Sequence, residues 1–268
     1  GVSGYEKPVR DVVAEQFRRY TDQVRVDQFG NVVAVKEGTS SRRPRPKLML
    51  AAHLDEIGLI VTMIEKGFIR FSTVGGFDVR VLPGQQVLVH GRRLLPGVVG
   101  APPPHITEPE DRRQVLKVEQ LFVDVGISEN ELVEIVQVGD IITVERQMST
   151  LSGGVVSGKA LDDRAGVAAV LLAFDILSGQ NHTWDLLGAA TTQEEVGLYG
   201  AATCAFGIEP NLAIAVDVTF AAAPGVDPAQ SVIMGKGPEI SFGPNVHPRV
   251  FERLVSVAKE LEIPHQIG

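Results

Sequence analysis

The sequence predicts an α/β domain interrupted by a small all-β domain. Three observations carry that reading. First, residues 47–55, 186–193 and 212–216 are near-continuous apolar runs, and each ends in polar or acidic residues. Runs of this kind suit strands buried on both faces of a mainly parallel sheet. Second, an Ala-, Val- and Leu-rich stretch at 163–177 reads as a helix ahead of the second run. Third, residues from about 64 to 152 change character to short β-like runs broken by Gly and Pro. Short strands with frequent turn signals suggest a barrel or sandwich. The predicted domains are therefore 1–63 with 153–268 for the α/β part, and 64–152 for the inserted β part.

The elements follow in order. Residues 8–20 read as a helix: Pro8 suits a first helical position, and Val9, Val12, Val13, Phe17 and Tyr20 lie close to one face. Residues 24–35 read as a hairpin with Gly30-Asn31 near the turn. Residues 39–46 are polar and proline-broken, hence a loop. The strand run at 47–55 ends in the polar residues His53 and Asp55. Short β runs are expected at 68–71, 86–90, 97–100, 121–125 and 140–144, with turns at Gly75-Gly76, Pro83-Gly84, Pro96-Gly97 and Pro102-Pro103-Pro104. The run at 186–193 ends in Glu194-Glu195, residues 197–206 read as a helix, and the run at 212–216 ends in Asp217. A last helix is expected at 248–261, with Val250, Leu254, Val257, Ala258 and Leu261 at helical spacing.

Composition excludes several classes. With 268 residues, 44% hydrophobic and 22% charged, the chain has the makings of a folded core. Its net charge of −8 makes it a poor candidate for nucleic acid. The densest basic stretch, Arg42, Arg43, Arg45 and Lys47, is interrupted by Pro44 and Pro46 and reads as a solvated loop. No apolar run approaches the ~18 residues of a membrane span. The single cysteine, Cys204, permits no internal disulfide and fits a cytoplasmic location.

Three apolar strands thus deliver His53 and Asp55, Glu194 and Glu195, and Asp217 to their carboxyl ends, where open α/β sheets build their sites. Asp162-Asp163 stands before the Ala-rich helix. Each alone has a plain role: a hydrogen-bonded His, a helix cap, a solvated loop, a turn. Four such clusters at equivalent ends favour a site. Gathered carboxylates repel one another and need a cation. One His with several carboxylates suits zinc, cobalt or manganese. An adjacent Glu194-Glu195 pair can bind metal with one carboxylate and leave the other free as a general base, which suits hydrolysis.

Four motifs make the reading specific. Ala52-His53-Leu54-Asp55-Glu56-Ile57-Gly58, Gly158-Lys159-Ala160-Leu161-Asp162-Asp163-Arg164-Ala165-Gly166, Thr192-Gln193-Glu194-Glu195-Val196-Gly197 and Ala215-Val216-Asp217-Val218-Thr219 resemble the M42 family of dinuclear metallo-aminopeptidases. Val2-Ser3-Gly4-Tyr5-Glu6 and Gly235-Lys236-Gly237-Pro238 resemble it too. The resemblance implies an α/β/α zinc-peptidase-like catalytic domain with an inserted β-barrel-like domain that drives assembly into dimers and a tetrahedral dodecamer. It implies a metalloprotease that removes N-terminal residues from peptides using two divalent metal ions, zinc or cobalt, and a bridging water. His53, Asp162 and Asp217 would hold the first metal, and Asp162 would bridge to the second, which Glu195 also binds. Glu194 would be the general base, and Asp55 would lie behind His53 and fix its tautomer. It also implies a cis peptide between Asp162 and Asp163. A family histidine beyond residue 268 would complete the second metal site, so the length is that expected of an incomplete member, short at both ends. His265, His247, His90, His105 and His182 are assigned no ligand role.

Two other readings stay open on sequence alone. The family includes proteins labelled endoglucanases, and a carboxylate pair can hydrolyse glycosides, although one Trp and three Tyr are sparse for a sugar cleft. A catalytically impaired assembly or binding module is the third.

Overall fold

Pro8 occupies the first turn of helix α1 (Lys7–Phe17), where its missing N–H has no partner to lose, and Val13, Ala14 and Phe17 form the buried side. The computed structural model describes residues 1–103 and 116–268. Strands β1 (Gln23–Val26) and β2 (Val32–Lys36) form the expected hairpin, and β3 (Lys47–His53) follows. The chain then leaves this sheet for β4 (Gly58–Glu65), β5 (Phe68–Val74), β6 (Gln86–His90), β7 (Leu94–Gly100), β8 (Phe122–Asp124), helix α2 (Glu129–Ile135) and β9 (Ile141–Val144). A short hairpin of β10 (Ser149–Thr150) and β11 (Val156–Ser157) leads to α3 (Leu161–Ile176). Strand β12 (Asp185–Thr191), helix α4 (Tyr199–Ile208) and strand β13 (Leu212–Ala215) complete this part.

The main sheet runs β1-β2-β12-β3-β13, with β12 and β13 both parallel to the central β3. Helices α1 and α3 bury Phe17, Val167, Val170 and Phe174 against one face, while α4 buries Cys204 and Ile208 against the other. The result is a three-layer α/β/α arrangement, as predicted. Gly188 on β12 explains how the first layer closes. A Cβ there would sit 2.8 Å from the rings of Phe17 and Phe174, which meet edge-to-face at 5.3 Å. Strand β13 departs from expectation: its residues alternate between half-buried and exposed. Among the described residues it is the last strand in the order, paired on one side only.

The six strands β4 to β9 close into a barrel in the order β4-β5-β8-β7-β6-β9, around Leu59, Ile69, Val87, Val99, Val123 and Ile142. The expected boundary between residues 63 and 64 falls inside β4, whose pairing with β5 begins at Gly58. The compact units are Gly1–Asp217 and Val218–Gly268, so the expected stretch 153–268 spans both. The second unit holds the parallel pair β14 (Glu239–Ile240) and β15 (Gln266–Ile267) and helix α5 (Pro248–Glu260). Leu261, expected on the apolar face of α5, is its C-cap and is exposed. Part of the proline turn at Pro102-Pro103-Pro104, together with His105, lies outside the described residues.

Candidate metal centre

Parallel pairing aligns the carboxyl ends of three strands. Thr191 of β12 is level with His53, and Ala215 of β13 with Ala51, so Asp217 continues to the level of His53. The fourth contributor comes from the start of α3. There Asp162 and Asp163 leave helical geometry, and the peptide between them is cis, as the resemblance implies.

His53 is the hub. Its side chain is buried, and Nδ1 lies 3.1 Å from the main-chain oxygen of Asp55 and 3.5 Å from that residue's Oδ1. A carbonyl oxygen can only accept, so Nδ1 carries the hydrogen and Nε2 presents its lone pair when the ring is neutral. The Asp55 main chain thus shares the tautomer-fixing role expected of its carboxylate. Around Nε2 stand Asp162 Oδ1 at 2.9 Å, Glu194 Oε2 at 3.7 Å and Asp217 Oδ1 at 4.0 Å. One ligand atom each from His53, Asp162 and Asp217 fits within a span of 4.8 Å. Glu195 lies outside this trio and lines a cleft of about 490 Å³ beside it, together with Asp162, Ile57, Phe77, Val144 and Lys159.

Two buried carboxylates brace the hub. Asp55 accepts from Ser3 Oγ at 2.6 Å and from the main-chain N–H groups of Glu194 at 3.0 Å and Glu195 at 3.2 Å. It therefore joins the start of the chain, the end of β3 and the Glu194-Glu195 loop. Asp163 accepts from the main-chain N–H groups of His53 at 3.2 Å and Gly166 at 3.0 Å. Gly166 must lack a side chain, because a Cβ there would lie 2.4 Å from Asp163 Oδ1. The bracing roles of Ser3 and Asp163 were not read from the sequence. Their signals were present, Ser3 in the quoted segment at the start and Asp163 in the paired aspartates, but an Asp ahead of a helix looks the same as a cap. His90 instead bonds Thr143 Oγ1 at 2.9 Å, and His182 donates to the Trp184 carbonyl at 2.7 Å.

The electrostatics describe a cluster short of positive charge. Burial alone would pull the His53 pKa down, but the hydrogen bond and charge of Asp55, with Glu194 and Asp163 behind them, raise it to about 9. Burial and then the Asp162 charge push Glu195 up to about 7, and burial chiefly raises Glu194. Asp163 is pushed to about 6 by burial and by Asp217. Asp55 goes the other way: burial opposes it, but its bonds from His53, Ser3 and the two main-chain amides lower its pKa. A divalent cation would supply the missing charge, and one imidazole nitrogen with carboxylate oxygens is a donor set that borderline ions such as zinc, cobalt or manganese accept. A stability consequence follows for the metal-free protein. The His53 proton stabilises the fold fully below pH 6.5, and that contribution is lost as pH rises through about 9. Melting temperatures in chelator between pH 6.5 and 10 are expected to fall more steeply for the parent than for His53→Gln.

A buried imidazole ringed by carboxylates, with one glutamate held just beside it, defines the class of metal-dependent hydrolases. The M42 glutamyl aminopeptidase family model matches residues 30–268, and the chain belongs to that family. It is 37% identical to the lysyl aminopeptidase of Pyrococcus furiosus, across 100% of this chain and 77% of that protein. An aminopeptidase structure from Desulfurococcus kamchatkensis matches with a TM-score of 0.90 and 41% identity, over 100% of this chain and 75% of that one. The TET1 peptidase of Pyrococcus horikoshii, which assembles into a tetrahedron or a large octahedral shell, matches at a TM-score of 0.87 and 33% identity, over 100% and 80%. A structure named an endoglucanase, from Thermotoga maritima, matches at 0.83 and 32%, over 100% and 80%. The glycosidase reading nevertheless falls. The family that the chain belongs to is one of aminopeptidases.

Proposed function

We propose that the chain hydrolyses the peptide bond after the N-terminal residue of a peptide, at the cluster built around His53. The observation that carries this is the convergence of Asp162, Asp217 and Glu194 on His53 Nε2 within 4.0 Å. His53, Asp162 and Asp217 would hold one divalent ion, zinc or cobalt, and Asp162 with Glu195 would hold a second. When bound, such ions polarise the scissile carbonyl and bring the pKa of water toward neutrality. Glu194 takes the proton from the attacking water and returns it to the leaving amine. Its raised pKa and its reach into the cluster suit both transfers. Asp55 acts through His53, whose tautomer it holds, and through the loop that carries Glu194 and Glu195. The apolar wall of the adjacent cleft, from Ile57, Phe77 and Val144, suits a peptide chain.

The inserted part, residues 64–152, would serve self-association as a dimer and a dodecamer. The shells formed by the Pyrococcus horikoshii relative support this. We propose a cytoplasmic location, with which the single buried Cys204 is consistent. Among the described residues no helix is long and apolar enough to cross a membrane.

Aminoacyl-p-nitroanilides assayed with added cobalt or zinc test the function. Turnover that disappears in chelator and returns with metal is expected. Turnover that survives exhaustive chelation, or hydrolysis of a glucan in place of peptides, would overturn it.

A further inference from the structure

Glu56 follows Asp55 directly, yet the chemistry above gives it no part. Its side chain is only 6% exposed, and it is surrounded by cations. Oε2 accepts from Lys159 Nζ at 2.6 Å, and Oε1 accepts from Arg164 Nη2 at 3.1 Å. The Gly1 amino nitrogen also lies 3.1 Å from Oε1. Lys159 and Arg164 flank Asp162, three residues before it and two after. Lys159 also lines the same cleft as Asp162 and Glu195.

This placement poses a charge problem. An ammonium on a flexible four-carbon stem pairs with whichever carboxylate is nearest and least solvated. In this cleft the candidates are Glu56, Asp162 and Glu195. An ammonium bound to either of the last two would compete with a dication for the same oxygens. Glu56 is buried, held also by Arg164 and bonded to Lys159 at short distance, so it is the carboxylate that engages the ammonium. The bonds to Lys159 and Arg164 also tie the end of β3, with His53 and Asp55, to the segment that carries Asp162.

We propose that Glu56 is a positioning residue that sequesters the Lys159 ammonium and so keeps Asp162 and Glu195 available to the metal. The proposal rests on the metal-centre reading above. It differs from a plain structural role in one respect: the harm done by losing Glu56 is done by Lys159, so removing Lys159 as well undoes it.

Zinc affinity of the full chain, measured by competition with a chromophoric chelator, tests this in the parent, Glu56→Gln, Lys159→Gln and the double variant. Melting temperatures in chelator, read alongside, separate lost stability from lost affinity. Glu56→Gln is expected to weaken zinc binding by about tenfold, the scale of losing a supporting group at a metal site. The double variant is expected to regain most of that loss while melting no higher than Glu56→Gln. If Glu56→Gln does not fold, Glu56→Asp, one methylene shorter, with and without Lys159→Gln, carries the same comparison. A double variant that binds no more tightly than the single one, or a Glu56→Gln chain with parental affinity, would overturn the proposal. A parent chain that binds no zinc would instead overturn the metal-centre reading, and this proposal with it.

Discussion

Glu194→Gln is expected to lose about 10²–10⁴-fold in aminoacyl-p-nitroanilide turnover, the range that a positioned general base contributes. The amide keeps the shape and the main-chain bond to Asp55 but cannot take a proton. Glu194 stands 3.7 Å from His53 Nε2 and outside the trio of His53, Asp162 and Asp217, so zinc affinity at that trio should stay close to parental. The combination is diagnostic. Turnover lost together with metal would make Glu194 a ligand, and turnover retained would remove it from the reaction.

Asp55→Ala is expected to have the larger effect on the protein as a whole. Its fully buried carboxylate accepts three hydrogen bonds and faces the His53 ring. Removing it leaves Ser3 Oγ and the amides of Glu194 and Glu195 without their acceptor. Breaking a buried charged network of this kind costs about 3–5 kcal/mol. Metal affinity should fall by about 10–100-fold as well, because the Glu194-Glu195 loop loses its brace and the His53 ring loses the carboxylate beside it, keeping only the main-chain acceptor. Urea unfolding and zinc competition read the two effects. The pH dependence gives a further check. The Asp55 pKa is lowered in the fold, so its contribution is present above the ordinary carboxylate pKa and is lost as pH falls through the folded value. The parent should therefore lose its stability advantage over Asp55→Ala in acid.

Much of this was legible in sequence for one physical reason. Strands buried on both faces leave uninterrupted apolar runs, and the polar residues that end them mark the sheet edge where a site can form. That is why β3 and β12, and the residues His53, Glu194 and Glu195 that follow their runs, could be placed from residues alone; β13 has the same apolar run ahead of Asp217 although it is only half-buried. Strand β4 was missed because Gly58–Glu65 mixes buried residues with exposed ones. Helix α2 was missed because seven acidic-rich residues carry little periodicity, although Ser128 and Glu131 are spaced as a helix start. Ser3 and Asp163 escaped for a different reason. Their partners are 52 and 110 residues away, and no local pattern encodes a hydrogen bond of that span.

The central claim is that a divalent ion sits at the carboxyl end of the main sheet, on His53, Asp162 and Asp217. Anomalous diffraction at the zinc edge, from crystals whose zinc content is first established by elemental analysis, tests it most directly. The expected result is a peak about 2.0–2.2 Å from His53 Nε2 and from an oxygen of each aspartate. Zinc-loaded crystals with their peaks elsewhere, and none within bonding distance of His53, would contradict it.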